Sequence, residues 1–329
     1  MFARQELIET MRESESIWCV ASQRSGFVAG AMSMVFGHMG SLVFRNRGIL
    51  HFAIWFTLVG VTILGPNGVV GAHEPPRTNE FIICYNPRTP MQHFARFPFV
   101  VVDYEYPPAS VASLRQQGKL VFGYLSIAKV HQLRGYVARM QGVAIGLTQD
   151  PQFSGTFQIN AADPMWQKLV VQEIVPQMKR LGFNGLFLDD LDDLKNRKME
   201  QHGVSLIREI RRVHPELKLM ANRGLEYLSD FASHVDYVLL ESCFLLNGQI
   251  RKPADPAWAM GLFKAGKRIN PTLKGVAIDY IPKSKTSPIQ EQSLSQTQLQ
   301  LVARIRQLHS ENGLLSCVST EDLQSVPRF

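Results

Sequence analysis

Apolar and polar positions divide this chain into two regimes. From about residue 79 onward, short apolar runs alternate with stretches in which apolar residues recur every three or four positions. The runs are Phe81–Tyr85, Phe99–Tyr104, Leu120–Ile127, Gly185–Leu188, Lys218–Ala221, Val235–Leu240, Gly275–Tyr280 and Leu314–Val318. Several are continuous rather than alternating, as parallel strands covered on both faces should be. The segments between them read as helices. Ala109–Gln117 follows Pro107-Pro108 and stops before Gly118. Asp163-Pro164 has the form of an N-cap with proline in the first turn, and Trp166, Val170, Ile174, Met178 and Leu181 follow at helical spacing. Pro176 inside that stretch predicts a kink. Arg197–His214, with Leu206, Ile207, Ile210 and Val213 on one face, and Leu299–Leu308 read as further core-facing helices.

Strands alternating with helices over residues 73–329 predict an α/β fold, a single-domain (β/α)8 TIM barrel, whose usual length is about 250 residues. An open doubly wound sheet is the runner-up, but no Gly-x-Gly-x-x-Gly follows the first strand. Residues 128–162 are too long for an ordinary connection and predict a lid or wall over the barrel mouth.

The first 72 residues belong to the other regime. Residues 49–64 are almost wholly apolar, Arg45 and Arg47 precede them, and small residues follow to Gly71-Ala72. That is the pattern of a signal peptide and predicts an exported protein, periplasmic or secreted. The apolar stretch is short for a spanning helix, so an uncleaved membrane anchor is the alternative. A signal peptide beginning at residue 1 would be unusually long, so Met32, Met34 or Met39 is an expected alternative start. Export bears on Cys84, Cys243 and Cys317, which read as buried free thiols, with a Cys84–Cys317 bridge as the alternative.

The chain is 45% hydrophobic and 19% charged, ordinary for a globular protein, with net charge +7 and pI near 9.3. The basic residues are scattered, without a stripe beside aromatics, and no nucleic-acid partner is predicted. The protein is expected to be a monomer.

In a barrel, chemistry sits at the carboxyl ends of the strands. The polar residues there include Tyr85, Asp103, Tyr124, Asp189, Asp190, Asn222, Arg223, Glu241, Asp279 and Tyr280, and no histidine. A zinc hydrolase or a Ser-His-Asp nucleophile needs a placed histidine. Two carboxylates facing each other across a polar, aromatic cleft are the equipment of glycosidic bond hydrolysis. Asp189 and Glu241 are the expected pair. Asp189, near open solvent, is the nucleophile or base. Glu241, in the apolar setting of Leu240 and Cys243, is the acid/base with raised pKa. A Glu241–Arg223 salt bridge is the structural alternative. Tyr85, Tyr124 and Tyr280 are expected to stack on or hydrogen-bond a sugar. Asp103 and Asp279 are expected to bind hydroxyls or an ammonium, and Asn222 to order the nucleophile. Asp190 and Arg223 complete the expected substrate-binding set, and Asp192 is expected to cap the next helix. A metal-dependent site on the Asp189–Asp193 cluster is a third reading.

Several motifs carry a resemblance. They are Gly123-Tyr124-Leu125-Ser126, Arg134 with Tyr136, Asp163-Pro164-Met165-Trp166 and Gly182-Phe183-Asn184-Gly185-Leu186-Phe187-Leu188-Asp189. Asn222-Arg223-Gly224, Glu241-Ser242 and Asp279-Tyr280 follow. Together they resemble glycoside hydrolase family 114, the endo-α-1,4-polygalactosaminidase-like barrels. The resemblance implies a (β/α)8 fold, export, and cleavage of α-1,4-linked galactosamine-containing polysaccharide. It implies residues matching Asp189 and Glu241 as the catalytic pair, with no cofactor or metal. A non-catalytic polysaccharide-binding or export-scaffold barrel is the alternative. One departure stands out. Where relatives tend to have Gly-Glu, this chain has Ala128-Lys129, a cation at the cleft rim that should repel a polycationic substrate.

Overall fold

The computed structural model describes residues 79–140, 145–151, 153–282 and 294–327. The expected leader over residues 1–72, including the apolar stretch 49–64, lies outside them. Eight parallel strands form one sheet: β1 Phe81–Ile83, β2 Phe99–Asp103, β3 Leu120–Ser126, β4 Gly185–Asp189, β5 Lys218–Asn222, β6 Tyr237–Glu241, β7 Lys274–Tyr280 and β8 Leu315–Ser319. Their spatial order equals their chain order. A doubly wound sheet would reverse direction at a switch point. The first and last strands meet through a parallel bridge between Glu80 and Ser316, with Ser316 N donating to Asn79 O at 2.9 Å. The fold is a (β/α)8 TIM barrel.

The helices are α1 Pro108–Gln116, α2 Pro164–Leu169, α3 Val175–Leu181, α4 Leu191–Asn196, α5 Glu200–Val213, α6 Ala254–Ile269 and α7 Gln296–Glu311. Asp163 caps α2 by accepting from Met165 N at 2.8 Å. The expected kink at Pro176 takes a particular form. A single π turn, Val170–Ile174, joins α2 to α3 and keeps helical dihedrals throughout. The wider turn accommodates a proline that has no N–H to give to an α-helical acceptor. The stretch expected as one helix at 197–214 breaks at Lys198, whose φ is 56°. Val213 and Leu299, expected in the core, are exposed at 39% and 40%. The β5–β6 connection is made of 3-10 turns, Leu225–Asp230 and Ala232–His234, rather than an α-helix. Among the described residues no helix is long and apolar enough to cross a membrane.

The Gly182–Gly185 segment sets the height of β4. Gly182 ends α3 with φ 98°, a left-handed C-cap suited to glycine. Asn184 stitches β4 to both neighbours. It exchanges bonds with Val121 through its N–H (2.8 Å) and its Oδ1 (2.9 Å), and its carbonyl accepts from Lys218 N at 3.0 Å. Gly185 lies where a Cβ would collide with the Lys218 carbonyl oxygen and the Phe122 ring. Below the mouth, Phe99, Phe122 and Tyr237 pack ring to ring at 4.7–5.7 Å and fill the barrel interior. From Gly185, two-residue alternation points Phe187 and Asp189 inward, while Leu186 and Leu188 are buried between sheet and helices.

Cys84, Cys243 and Cys317 are free and buried. The alternative bridge does not form, and Cys84 Sγ lies 3.3 Å from Thr89 Oγ1.

Gly185→Ala is expected to destabilise the barrel by about 3 kcal/mol, because the crowding atom is backbone and cannot swing aside. Calorimetry should show Tm lower by roughly 10 °C. An unchanged Tm would mean that β4 and β5 are not held this closely.

Candidate active site

The carboxyl ends of the strands open into a cleft of about 1210 Å3. Inward alternation brings Tyr85, Asp103, Tyr124, Asp189, Asn222, Glu241 and Tyr280 to its floor and walls, and Asp190 and Arg223 line it as well. At its centre is one amide group. Asn222 Nδ2 donates to Asp189 Oδ1 at 2.7 Å and to Glu241 Oε2 at 2.9 Å. Turned the other way, the amide would set its oxygen against two carboxylates. The two acceptor oxygens are therefore no further apart than the sum of those lengths, roughly 5.6 Å, close to the carboxyl spacing typical of retaining glycosidases.

Asp189 is held by three donors: the Asn222 amide, the Asp190 N–H at 2.8 Å and the Tyr124 hydroxyl. Burial is the largest influence on its pKa and raises it, and the charge of Glu241 adds to the rise. The expectation that open solvent keeps Asp189 ionised is thus corrected: the three donors favour its anion, against burial. The setting expected for Glu241 changes too. Leu240 and Cys243, its apolar neighbours in sequence, are buried outside the cleft. The carboxyl itself meets Asn222 and the Tyr280 hydroxyl, which donates at 2.7 Å. The alternative Glu241–Arg223 pair is absent, because Arg223 pairs with Asp192 at 2.7 Å. Asp192 accepts from Gly224 N at 2.9 Å and does not cap α4.

Three adjacent strands end in the same way. Asp190, Arg223 and Ser242, each directly after a strand-end cleft residue, have φ of 65°, 60° and 51°. Left-handed backbone is costly for side-chain-bearing residues, on the order of 1–2 kcal/mol each. It turns the chain sharply off the strand while Arg223 N and Ser242 N still bond the neighbouring strands, to Leu239 O at 3.0 Å and Ile278 O at 2.8 Å. Asp189, Asn222 and Glu241 are thereby left at the strand ends, facing one another.

Asp279 departs from expectation. It is 0% exposed and lies outside the cleft. Its Oδ1 accepts from Phe244 N (3.0 Å) and Leu245 N (2.7 Å), and its Oδ2 meets His309 Nε2 at 2.8 Å. His309 Nδ1 in turn meets Ser316 Oγ at 2.7 Å. Neighbouring residues of a strand face opposite ways, so with Tyr280 in the cleft Asp279 is turned toward α7. It anchors the loop after β6 instead of binding a sugar.

The excursion at 128–162 forms a cleft wall. Lys129–His131, Thr156–Ile159 and Ile145–Gln149 make a three-stranded antiparallel sheet. Arg197 ties it to α4 through the carbonyls of Ile159 (2.7 Å) and Ala128 (3.2 Å). From this wall Arg134 reaches Asp103 at 2.6 Å and stacks over the rings of Tyr104 and Tyr124. Asp103 is therefore committed to Arg134. Lys129 is expected as a cation at the cleft rim that repels a polycationic substrate, and the structure surrounds it with acids. It is 13% exposed, with its ammonium 2.5 Å from Asp193, 2.7 Å from Asp150 and 3.3 Å from Asp190. Asp190 also accepts from Ser126 Oγ at 2.5 Å. Its pKa is raised to about 7, first by burial and then by the charge of Asp189, with Ser126 and Lys129 opposing. Ser126, Lys129, Arg134 and Asp193 are site residues that strand-end reasoning left out of the expected set. Ser126 carried a signal as an inward strand-end position, Arg134 and Lys129 through the family resemblance and the departure from it, and Asp193 through the acidic cluster.

Comparisons with known proteins bear on the family and the fold. The glycoside hydrolase domain of PelA from Pseudomonas aeruginosa is similar with a TM-score of 0.60 and 26% identity, over 75% of this chain and 96% of that one. Ega3 from Aspergillus fumigatus, crystallised with galactosamine, shares the fold at a TM-score of 0.58 and 11% identity, over 78% and 98% of the two chains. An uncharacterised protein of Deinococcus radiodurans is 29% identical over 111 residues, 30% of this chain and 35% of that protein. The match therefore spans about a third of that curated relative. The model of glycoside-hydrolase family GH114 matches residues 67–324, the whole barrel from β1 to β8. A barrel with a carboxylate pair at its mouth, matched over that span, belongs to glycoside-hydrolase family GH114.

Proposed function

We propose that this protein cleaves α-1,4-linked galactosamine-containing polysaccharide with retention of configuration, using Asp189 as nucleophile and Glu241 as acid/base. The observation that carries this reading is the Asn222 amide shared by the two carboxylates. The two-carboxylate mechanism needs one acid protonated and the other ionised, and in this reading Glu241 enters carrying the proton. Glu241 gives that proton to the glycosidic oxygen as the bond to the anomeric carbon breaks. Asp189, already surrounded by three donors, attacks that carbon and becomes an ester. Glu241, now ionised, takes a proton from water, whose oxygen displaces Asp189 and regenerates the pair. Asn222 positions both groups throughout.

Galactosamine as the sugar is supported by the family and by the ligand of Ega3. Tyr85 and Tyr124, edge to face at 5.1 Å, supply an aromatic surface for the sugar. Export is supported by the apolar stretch 49–64 behind Arg45 and Arg47, with a membrane anchor as its variant form. The polysaccharide is the partner in this reading, bound by a monomer.

Reducing-end release from partially acetylated α-1,4-galactosaminan tests the activity. Asp189→Asn and Glu241→Gln are each expected to slow it about a thousandfold or more. Wild-type rates in either variant would sink the assignment, and binding without release by the wild type would favour the scaffold reading. Proton NMR of the first product should show the α anomer, whereas a β first product would require inversion.

The pH profile offers a second check. The folded pKa of Asp189 is raised, so protonation disables the nucleophile at a higher pH than for an ordinary carboxylate. The acid limb of kcat/KM should therefore lie above the ordinary aspartate value of about 3.9. An acid limb at or below that value would contradict the burial argument.

A further inference from the structure

The Lys129 ammonium has three N–H donors, and three carboxylates stand within 2.5–3.3 Å of it. They come from three places: Asp150 from the wall, and Asp190 and Asp193 from the turn and helix after β4. One of them, Asp190, is directly bonded to the catalytic aspartate, its N–H on Asp189 Oδ1. This is the arrangement with which a protein would hold the ammonium of an amino sugar next to the reacting carbon. Here the protein's own side chain fills it. Lys129 lies on a short strand paired in register with Thr156–Ile159, and Arg197 clamps the carbonyl of the preceding residue, Ala128. The wall therefore delivers the ammonium to the carboxylates in a fixed position.

We propose that Lys129 is the resident occupant of the acidic subsite beside Asp189. The protein therefore accepts a neutral, N-acetylated sugar at that subsite and excludes one carrying a free ammonium. This rests on the reading that the cleft binds a galactosamine-containing polymer. The physical basis is simple. A second ammonium would have to displace Lys129 from acceptors it already engages, since Asp150, Asp190 and Asp193 each hold it through one oxygen. An acetamido group brings no charge and needs no carboxylate. The other cations lining the cleft, Arg134 and Arg223, pair with Asp103 and Asp192, so the discrimination falls on Lys129.

The test uses the full chain and two probes of equal length, soluble α-1,4-linked oligomers of galactosamine and of N-acetylgalactosamine. Their Kd and kcat/KM are compared for the wild type and for Lys129→Gln. The wild type should prefer the acetylated oligomer. Lys129→Gln keeps a hydrogen-bonding side chain and removes the charge, and it should shift the preference toward the amine by about tenfold. A merely structural Lys129, pinning the wall to α4, would lower Tm and weaken both oligomers alike. An unchanged ratio therefore overturns the proposal. Should the variant fail to fold, the wild type alone decides, since tighter binding of the amine oligomer also overturns it. If the wild type neither binds nor cleaves either oligomer, the function proposed above fails and this inference falls with it. Binding of both with a fixed ratio removes the inference alone.

Discussion

A single side-chain amide holds the candidate active site together. Asn222 Nδ2 spends both of its hydrogens on carboxylates from different strands, Asp189 on β4 and Glu241 on β6. Without a donor between them, two partly buried carboxylates at this distance would repel each other. With it, their oxygens are held at a spacing that suits attack on one side of a sugar and proton donation on the other. The amide stands between them because β5 lies between β4 and β6 in the sheet. The order of strands thus places one bridging residue between two acids.

That geometry is set from below. The aromatic layer of Phe99, Phe122 and Tyr237 fills the barrel, and the Gly182–Gly185 turn brings β4 against β3 and β5 at a fixed height. From there, two-residue alternation determines which side chains reach the mouth. The three left-handed residues after Asp189, Asn222 and Glu241 complete the arrangement, turning the chain away at positions that are not themselves glycine. Strain of this kind persists where the surroundings over-determine the backbone, here the ladder bonds of Arg223 and Ser242 to the next strand and the bond of Asp190 N–H to the Asp189 carboxyl.

Much of this was legible in the sequence. Continuous apolar runs revealed the strands because both faces of a barrel strand are covered. Asp189, Asn222 and Glu241 were legible as strand-end residues because a polar side chain breaks an apolar run there. Asp279 misled, since strand-end position alone does not give facing; its alternation with Tyr280 did contain the answer. The acid–base environments were also misread. The residues that flank Asp189 and Glu241 in sequence are not those that touch their carboxyls. Lys129 was legible as a cation at the cleft rim, but its neutralising contacts were not. Its partners lie 21 to 64 positions away, and only the wall sheet brings them together. The left-handed turns were equally silent, because Asp190, Arg223 and Ser242 are not glycines.

The most direct test of the central claim is to trap the intermediate. A 5-fluoro-α-galactosaminyl fluoride, N-acetylated or free, should form a slowly hydrolysed ester, and peptide mass spectrometry should locate it. The expected result is a label on Asp189 that accumulates in the wild type and is lost in Asp189→Asn. A label on Glu241, or turnover with no ester and inverted product, would contradict the placement of the nucleophile at the end of β4.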